Sequence, residues 1–203
     1  MSVAGLILAA GQSRRMGFPK ALLRFRGETF LDTLIGLFAA RCSPVIVVLG
    51  AGAERIQGEA RRPAVFVVNA EWEQGMTTSL QCGLRAAPED SEGAMLTLVD
   101  HPAVAPATLD LLLREPRPLL RVPRYAGKRG HPVWLSRDLF SEFLALPAGA
   151  AARDVVHSHF LEAEFLDLND PGIVADIDDP EAYRTLLSEG VPSRDRKGAV
   201  SHP

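Results

Sequence analysis

The chain has 203 residues, a formal net charge of −3, 47% hydrophobic residues and 23% charged residues. These values suit one globular domain whose core buries roughly 70% of the unfolded chain's surface, and they argue against disorder as the default. The slightly acidic balance argues against a general nucleic-acid binder. The first element is an apolar run of strand length, Val3 to Leu8. Ala9, Ala10 and Gly11 follow it, then Gln12, Ser13, Arg14 and Arg15, a second glycine at Gly17, Pro19 and Lys20. A buried strand feeding a glycine-containing basic loop lets backbone N–H groups face an anion. Arg15 would add a charged fork and Lys20 a point charge. The stretch therefore reads as a phosphate loop at the carboxyl end of the first strand of an α/β sheet. It is not a G-x-x-x-x-G-K-[ST] loop, because Gly11 and Gly17 stand too far apart and Phe18 occupies the lysine position. Nor is it G-x-G-x-x-G, because Gln12 and Ser13 follow Gly11.

After a turn at Arg26, Gly27 and Glu28, Thr29 can cap a helix whose apolar face is Phe30, Leu34, Leu37 and Phe38. Val45 to Leu49 is a continuous β-branched run, which predicts a strand buried on both faces. A turn at Gly50 to Gly52, a short helix at Glu54 to Ala60 and a strand at Val65 to Val68 come next. Met76, Leu80 and Leu84 mark a helix that begins near Gly75. Ala94 to Val99 is a further buried strand, ending at Asp100. This alternation predicts a parallel sheet with covering helices. The second half is less regular. A helix is expected over Thr108 to Arg114 and a strand over Leu119 to Val122. Tyr125 to Trp134 should hold a turn and a returning antiparallel strand. Ser136 would cap a helix through Leu144. A small-residue loop, Pro147 to Ala151, precedes a helix from Arg153 to Phe160 and a strand from Glu164 to Leu168. Pro180 opens a last helix to Glu189. The arginines at 61 and 62 and between 114 and 124 are expected on a solvated face. With no internal repeat or linker, one domain over residues 1–191 is expected, followed by a polar, disordered tail at 192–203. Cys42 and Cys82 show no metal or Cys-x-x-Cys spacing, so buried free thiols in a reducing compartment are expected. With no signal peptide and no membrane-spanning stretch, the expected setting is the cytoplasm.

Leu8, Ala9, Ala10, Gly11, Ser13, Arg15, Met16, Gly17 and Lys20 stand where the L-A-A-G-x-S-x-R-M-G-x-x-K signature has them. The stretch thereby resembles the MobA-like nucleotidyltransferases, which make the dinucleotide forms of the molybdenum cofactor. Further segments resemble the same family. Asn69 to Leu80 matches N-x-x-W-x-x-G-M-x-x-S-L. Asp100-His101-Pro102 stands at the Asp-Gln-Pro position, with His101 as a departure. Arg129-Gly130-His131-Pro132 resembles R-G-x-P. Asp176 to Pro180 resembles Asp-x-Asp-Thr-Pro, with Asp179 in place of threonine. Gly149 to Arg153 loosely resembles a Gly-Ala-Arg segment. In a strand-like stretch Asp176 and Asp178 would point the same way. Asp178 or Asp179 could instead cap the last helix.

The resemblance implies a Rossmann-like three-layer α/β/α nucleotidyltransferase fold, mostly parallel, with an antiparallel hairpin excursion. It implies attack by an oxygen of a phosphorylated acceptor on the α-phosphate of a nucleoside triphosphate, with pyrophosphate leaving. Arg15 and Lys20 would hold the triphosphate and stabilise transition-state charge. Asp100 and Asp178 would hold Mg²⁺. Leu8, Ala9, Ala10, Gly11, Asn69, Gly75 and Ser79 would complete the nucleotide site. His101, Arg129, Gly130, His131 and Arg153 would meet the acceptor. Ala9-Ala10, where guanylyl-transferring relatives carry Gly-Gly, favours CTP as donor. Molybdopterin cofactor is then the first choice of acceptor, with a molybdoenzyme as recipient and no nucleic acid or membrane partner. The alternatives are a transferase acting on a sugar phosphate or another phosphorylated metabolite, or a non-catalytic cofactor-delivery protein.

Overall fold

The first apolar run forms strand β1, Val3–Ala9, buried along its whole length. The computed structural model describes residues 2–147 and 149–189. The proposed tail at 192–203 and one residue of the 147–151 loop therefore lie outside the described residues. After the basic loop, a 3-10 turn (Lys20–Leu22) leads into a small hairpin of β2 (Arg24–Phe25) and β3 (Glu28–Thr29). Helix α1 (Phe30–Ala39) starts at Thr29, whose side chain accepts from the Asp32 N–H as expected of an N-cap. Strand β4 (Val45–Leu49), helix α2 (Ala53–Glu59), strand β5 (Val65–Val68), helix α3 (Met76–Ala86) and strand β6 (Gly93–Leu98) follow. Each lies within one or two residues of its sequence expectation. The second half runs α4 (Pro106–Leu112), β7 (Leu120–Tyr125), β8 (Lys128–Arg129), β9 (Val133–Ser136), α5 (Phe140–Ala145), α6 (Ala152–Ser158), β10 (Glu164–Asp167) and α7 (Pro180–Glu189). Among the described residues, no helix is long and apolar enough to cross a membrane.

The main sheet runs β10-β7-β9-β6-β1-β4-β5, with β8 paired to β7. Strands β6, β1, β4 and β5 pair in parallel, and so do β10 and β7; β9 runs antiparallel between β7 and β6. This is the parallel α/β arrangement that the alternation predicts and the Rossmann-like fold that the resemblance implies, with β9 as the returning strand. Side chains of β1 alternate between two cores. Val3, Ile7 and Ala9 join α1 and α4 in one layer. Ala4, Leu6 and Leu8 join α3, α5 and α6 in the other. Fully burying each of the larger chains contributes about 1.5–3 kcal/mol. Gly5 lets α1 pack close, since a Cβ there would sit 2.9 Å from the Phe38 ring.

The structure corrects one expectation about charge. Arg121, placed on a solvated face from sequence, is 1% exposed. Its guanidinium meets Glu164 on β10 and the carbonyls of Leu112, Arg114 and Pro116. A forked cation joins the edge strand to the α4–β7 connection, and each of those acceptors compensates its lost hydration.

Candidate active site at the carboxyl edge of β1 and β6

Strand order reverses at β1: β4 and β5 lie on one side of it and β6 on the other. Open α/β sheets bind ligands at such a switch point, outside the carboxyl ends of the strands. A cavity of about 660 Å³ opens there. Its floor is Leu8, Ala9 and Ala10 from the end of β1, with Leu98, Val99 and Asp100 from the end of β6. Gly11 and Lys20 from the loop and Gly75 and Ser79 from the start of α3 complete the lining expected from sequence. Sequence reasoning missed Ile56 and Glu73, which also line it. Ile56 looks like an ordinary core position of a short helix, and nothing local marks it otherwise.

The loop is shaped by Ser13. Its backbone sits in the left-handed region at φ 54°, and its carbonyl accepts from the N–H groups of Met16 and Gly17 at 3.0 and 3.1 Å. Its hydroxyl accepts from the Lys20 N–H at 3.0 Å. Ala21 and Leu22 then bury themselves and anchor the 3-10 turn. The result aims the Lys20 ammonium at two carboxylates. Nζ lies 2.6 Å from Asp100 Oδ2 and 2.9 Å from Asp178 Oδ1. Arg15 donates to the other Asp178 oxygen at 2.7 Å.

Asp178 reaches this point because the chain returns across the sheet edge. The Ile177 N–H donates to the Asp100 carbonyl at 3.0 Å, and the Ile177 side chain is fully buried. Asp179, not Asp178, caps the last helix by accepting from the Ala182 N–H at 2.8 Å. Capping thus falls to one residue and the loop contact to its neighbour. Tyr183 on α7 fastens the return: its hydroxyl donates to the Arg24 carbonyl at 2.8 Å and its ring meets Phe30 edge-on.

Electrostatics follow from this packing. Burial opposes ionisation of Asp100, but His101 and then Lys20 outweigh it and hold the carboxyl well below the usual range. Burial likewise opposes ionisation of Asp178, and Lys20 with Arg15 outweigh it. Lys20 is raised overall, the two carboxylates overcoming its desolvation. Because Asp100 stays ionised it can only accept, so His101 Nδ1 donates to Asp100 Oδ1 across 2.9 Å.

A second cavity, of about 330 Å³, adjoins the first at Leu98 and Asp100. His101, Arg129, Gly130, His131, Asp176 and Asp178 line it. The rings of His101 and His131 meet edge to face at 5.1 Å. Gly130 lets the Ile173 backbone pass, since a Cβ would lie 2.2 Å from the Ile173 carbonyl. Two expected residues fall outside these linings. Asn69 is buried and donates to Thr78 and Ser79, so it holds the start of α3 instead of lining the cavity. Arg153 is exposed on α6 and lines neither cavity. In the same segment, the hydroxyls of Thr77 and Thr78 are committed to the carbonyls of Ala150, Glu71 and Gly75.

Residues 5–163 match the family described as MobA-like NTP transferase domain. The chain is similar to nicotine blue oxidoreductase of Paenarthrobacter nicotinovorans, with 32% identity over 91% of this chain and 96% of that one. It is also similar to molybdenum cofactor cytidylyltransferase of Escherichia coli, with 29% identity over 89% of this chain and 93% of the other. A crystal structure of Rv0371c from Mycobacterium tuberculosis in complex with manganese superposes with a TM-score of 0.77 at 30% identity, covering 92% of this chain and 98% of that one. A family match across most of the chain, on a sheet whose switch point carries this loop, shows that the chain belongs to the MobA-like NTP transferase family and is a nucleotidyltransferase acting on a phosphorylated acceptor.

Proposed function

We propose that this enzyme transfers CMP from CTP, with Mg²⁺, to a phosphorylated acceptor of the molybdopterin type in the cytoplasm, where its free thiols Cys42 and Cys82 would stay reduced. One observation carries the reading. Asp100 and Asp178 converge on a single cation at the seam between the cavities. A triphosphate in the larger cavity and an acceptor in the smaller would meet beside Asp100.

The donor set fits Mg²⁺, which takes one or two carboxylates together with phosphate oxygens and water. Among the described residues no group of three or more His, Cys, Asp or Glu could cage an ion alone. That suits a site which the triphosphate itself completes. When bound, Mg²⁺ would neutralise charge on the α-phosphate and the leaving pyrophosphate. Lys20 and Arg15 would turn from the carboxylates to the phosphates and offset the charge that builds as pyrophosphate leaves. His101 holds one oxygen of Asp100 and so orients the other. Arg129 brings the fixed positive charge of the smaller cavity and would orient the acceptor's phosphate. The metal reading draws support from the manganese complex of the mycobacterial relative. The CTP reading draws support from the cytidylyltransferase relative and from Ala9-Ala10.

A second reading rests on the relative that is named an oxidoreductase. Such an enzyme would consume a reductant and release no pyrophosphate. Purified protein given Mg²⁺, each nucleoside triphosphate in turn and molybdopterin cofactor should release pyrophosphate fastest with CTP. Faster release with GTP would reject the cytidylyl assignment. Consumption of NADH or NADPH with a dye acceptor, and no pyrophosphate with any triphosphate, would favour the redox reading.

A further inference from the structure

We propose that Lys20 is a built-in counter-ion which occupies the cation position, so that Asp100 and Asp178 open to a divalent cation only when a triphosphate draws the lysine away. The inference rests on the reading of Asp100 and Asp178 as metal ligands and adds an order of events to it.

Lys20 Nζ contacts one oxygen from each carboxylate, at 2.6 and 2.9 Å. Its side chain is 16% exposed and that of Asp100 13%, so the contact is shielded from water. Asp100 Oδ1 is taken by His101 and the second Asp178 oxygen by Arg15. Each of the four carboxylate oxygens therefore has a donor. The charges of Lys20 and Arg15 balance those of the two aspartates, so a free divalent ion meets a site with little net attraction. To enter, it must displace an ammonium that is held from two sides in a low-dielectric setting.

A triphosphate changes that balance. The cavity beside Lys20 is lined by Gly11, Ser13 and Arg14 of the same loop. Several negative charges placed there would compete with the aspartates for Lys20 and Arg15. Both cations sit on flexible side chains, and Arg15 is largely exposed already. Swinging them onto phosphate strips two adjacent carboxylates of Lys20 and Arg15 and leaves only His101 on Asp100, which is costly until a divalent cation joins them. His101 does not move in this exchange, because it holds the oxygen of Asp100 that faces away from Lys20. Nucleotide and metal thus become positively coupled through one side chain, and linkage requires the coupling to be reciprocal.

The triphosphate chelates metal by itself, so the decisive measurement omits it. Mn²⁺ alone is titrated by electron paramagnetic resonance into the full chain, Lys20→Met, Lys20→Gln and Lys20→Met/Asp100→Asn. Removing the competing charge should tighten Mn²⁺ binding by about tenfold or more in either single variant, given the strength of a contact ion pair in a partly shielded site. The double variant should lose that gain. Equal Mn²⁺ affinity in the full chain and the folded single variants would overturn the proposal while leaving the carboxylates as ligands. If Lys20→Met does not fold, Lys20→Gln decides in the same way. Absence of Mn²⁺ binding in every protein, with and without CTP, would overturn both the proposal and the metal reading beneath it.

Discussion

At the scale of single residues, the site is a set of charges whose partners are themselves fixed. Lys20 and Arg15 meet aspartates in this structure, and in the proposed reaction they meet phosphate. Replacing either by alanine should lower turnover by roughly 10²-fold, as expected when a group that offsets transition-state charge is lost. The circular dichroism spectrum should stay unchanged. Full activity of both variants on a verified substrate would reject the assignment of the loop. His131 makes a separate prediction about pH. Burial pushes its ring down to about 4, with the neighbouring His101 adding to the effect and Asp100 and the Leu96 carbonyl only partly opposing it. Its Nδ1 is buried and has no hydrogen-bond partner, so Nε2 is the atom that donates to Leu96. The folded chain favours the neutral ring, and the unfolded chain takes up a proton as pH falls below about 6.5. This contribution to stability is complete above about 6.5 and is lost as pH falls towards about 4. The loss is roughly 3–4 kcal/mol, at 1.36 kcal/mol per pKa unit. His131→Gln keeps a donor for Leu96 but does not titrate. Thermal melts at pH 7 and pH 4.5 should show a larger fall in the midpoint for the parent chain than for this variant.

At the scale of elements, the walls of the larger cavity depend on how closely neighbouring segments pass. Gly50, after β4, shows this. A Cβ there would lie 2.6 Å from the Ala10 carbonyl oxygen and 2.6 Å from the Trp72 Cβ. The backbone oxygen cannot yield cheaply, so Gly50→Ala must push Trp72, which lines the cavity. Overpacking of this kind costs about 1–3 kcal/mol of stability. Because the displaced Trp72 also lines the cavity, triphosphate affinity measured by calorimetry should fall as well, and unaltered affinity would show that Trp72 does not shape the nucleotide wall. Strands such as Val45–Leu49 were legible because an unbroken β-branched run is buried on both faces in a parallel sheet. Helix α3 was legible from the spacing of Leu80 and Leu84, which are buried as a pair. Side-chain commitments were not legible. Thr77, Thr78 and Asn69 lie in a segment that resembles a nucleotide-binding motif, yet they bind one another and the adjoining loop. Arg121 misled for a related reason: a charge in a short strand reads as exposed unless its carbonyl partners are known. Ala9 and Ala10 show the limit of reading a wall from sequence. Ala9 belongs to the core beside α1, so its methyl is spent largely on packing.

At the scale of the whole molecule, the site is where two distant parts of the chain close on each other. Lys20 and Asp178 are 158 residues apart, and no local pattern brings them together. Their shared site was implied by resemblance to a family, with Lys20 on the triphosphate and Asp178 on the metal; the ion pair between them was not expected. The physical cause is the return of the chain past Asp100, with Ile177 buried behind and α7 fastened to Arg24 by Tyr183. The family match ends at residue 163, so this return lies beyond the matched region. Packing and charge can be separated within it. Ile177→Ala removes buried apolar volume and should cost about 2–5 kcal/mol. That corresponds to a midpoint lowered by about 2–4 °C for each kcal/mol in a domain of this size. Asp178→Asn keeps the shape and removes the charge, so its midpoint without ligand should move far less. The order should reverse for stabilisation by ligand. A nucleotide and metal ion that bind only the folded chain raise its stability by about 2.7 kcal/mol at a hundredfold excess over Kd. With CTP and Mg²⁺ at fixed concentration, Ile177→Ala should keep most of that increment from its lower starting point. Asp178→Asn should lose much of it from a nearly normal one. Equal increments in the parent chain and Asp178→Asn would show that the carboxylate takes no part in holding the metal–triphosphate pair, and that the closing of the chain on itself serves stability alone.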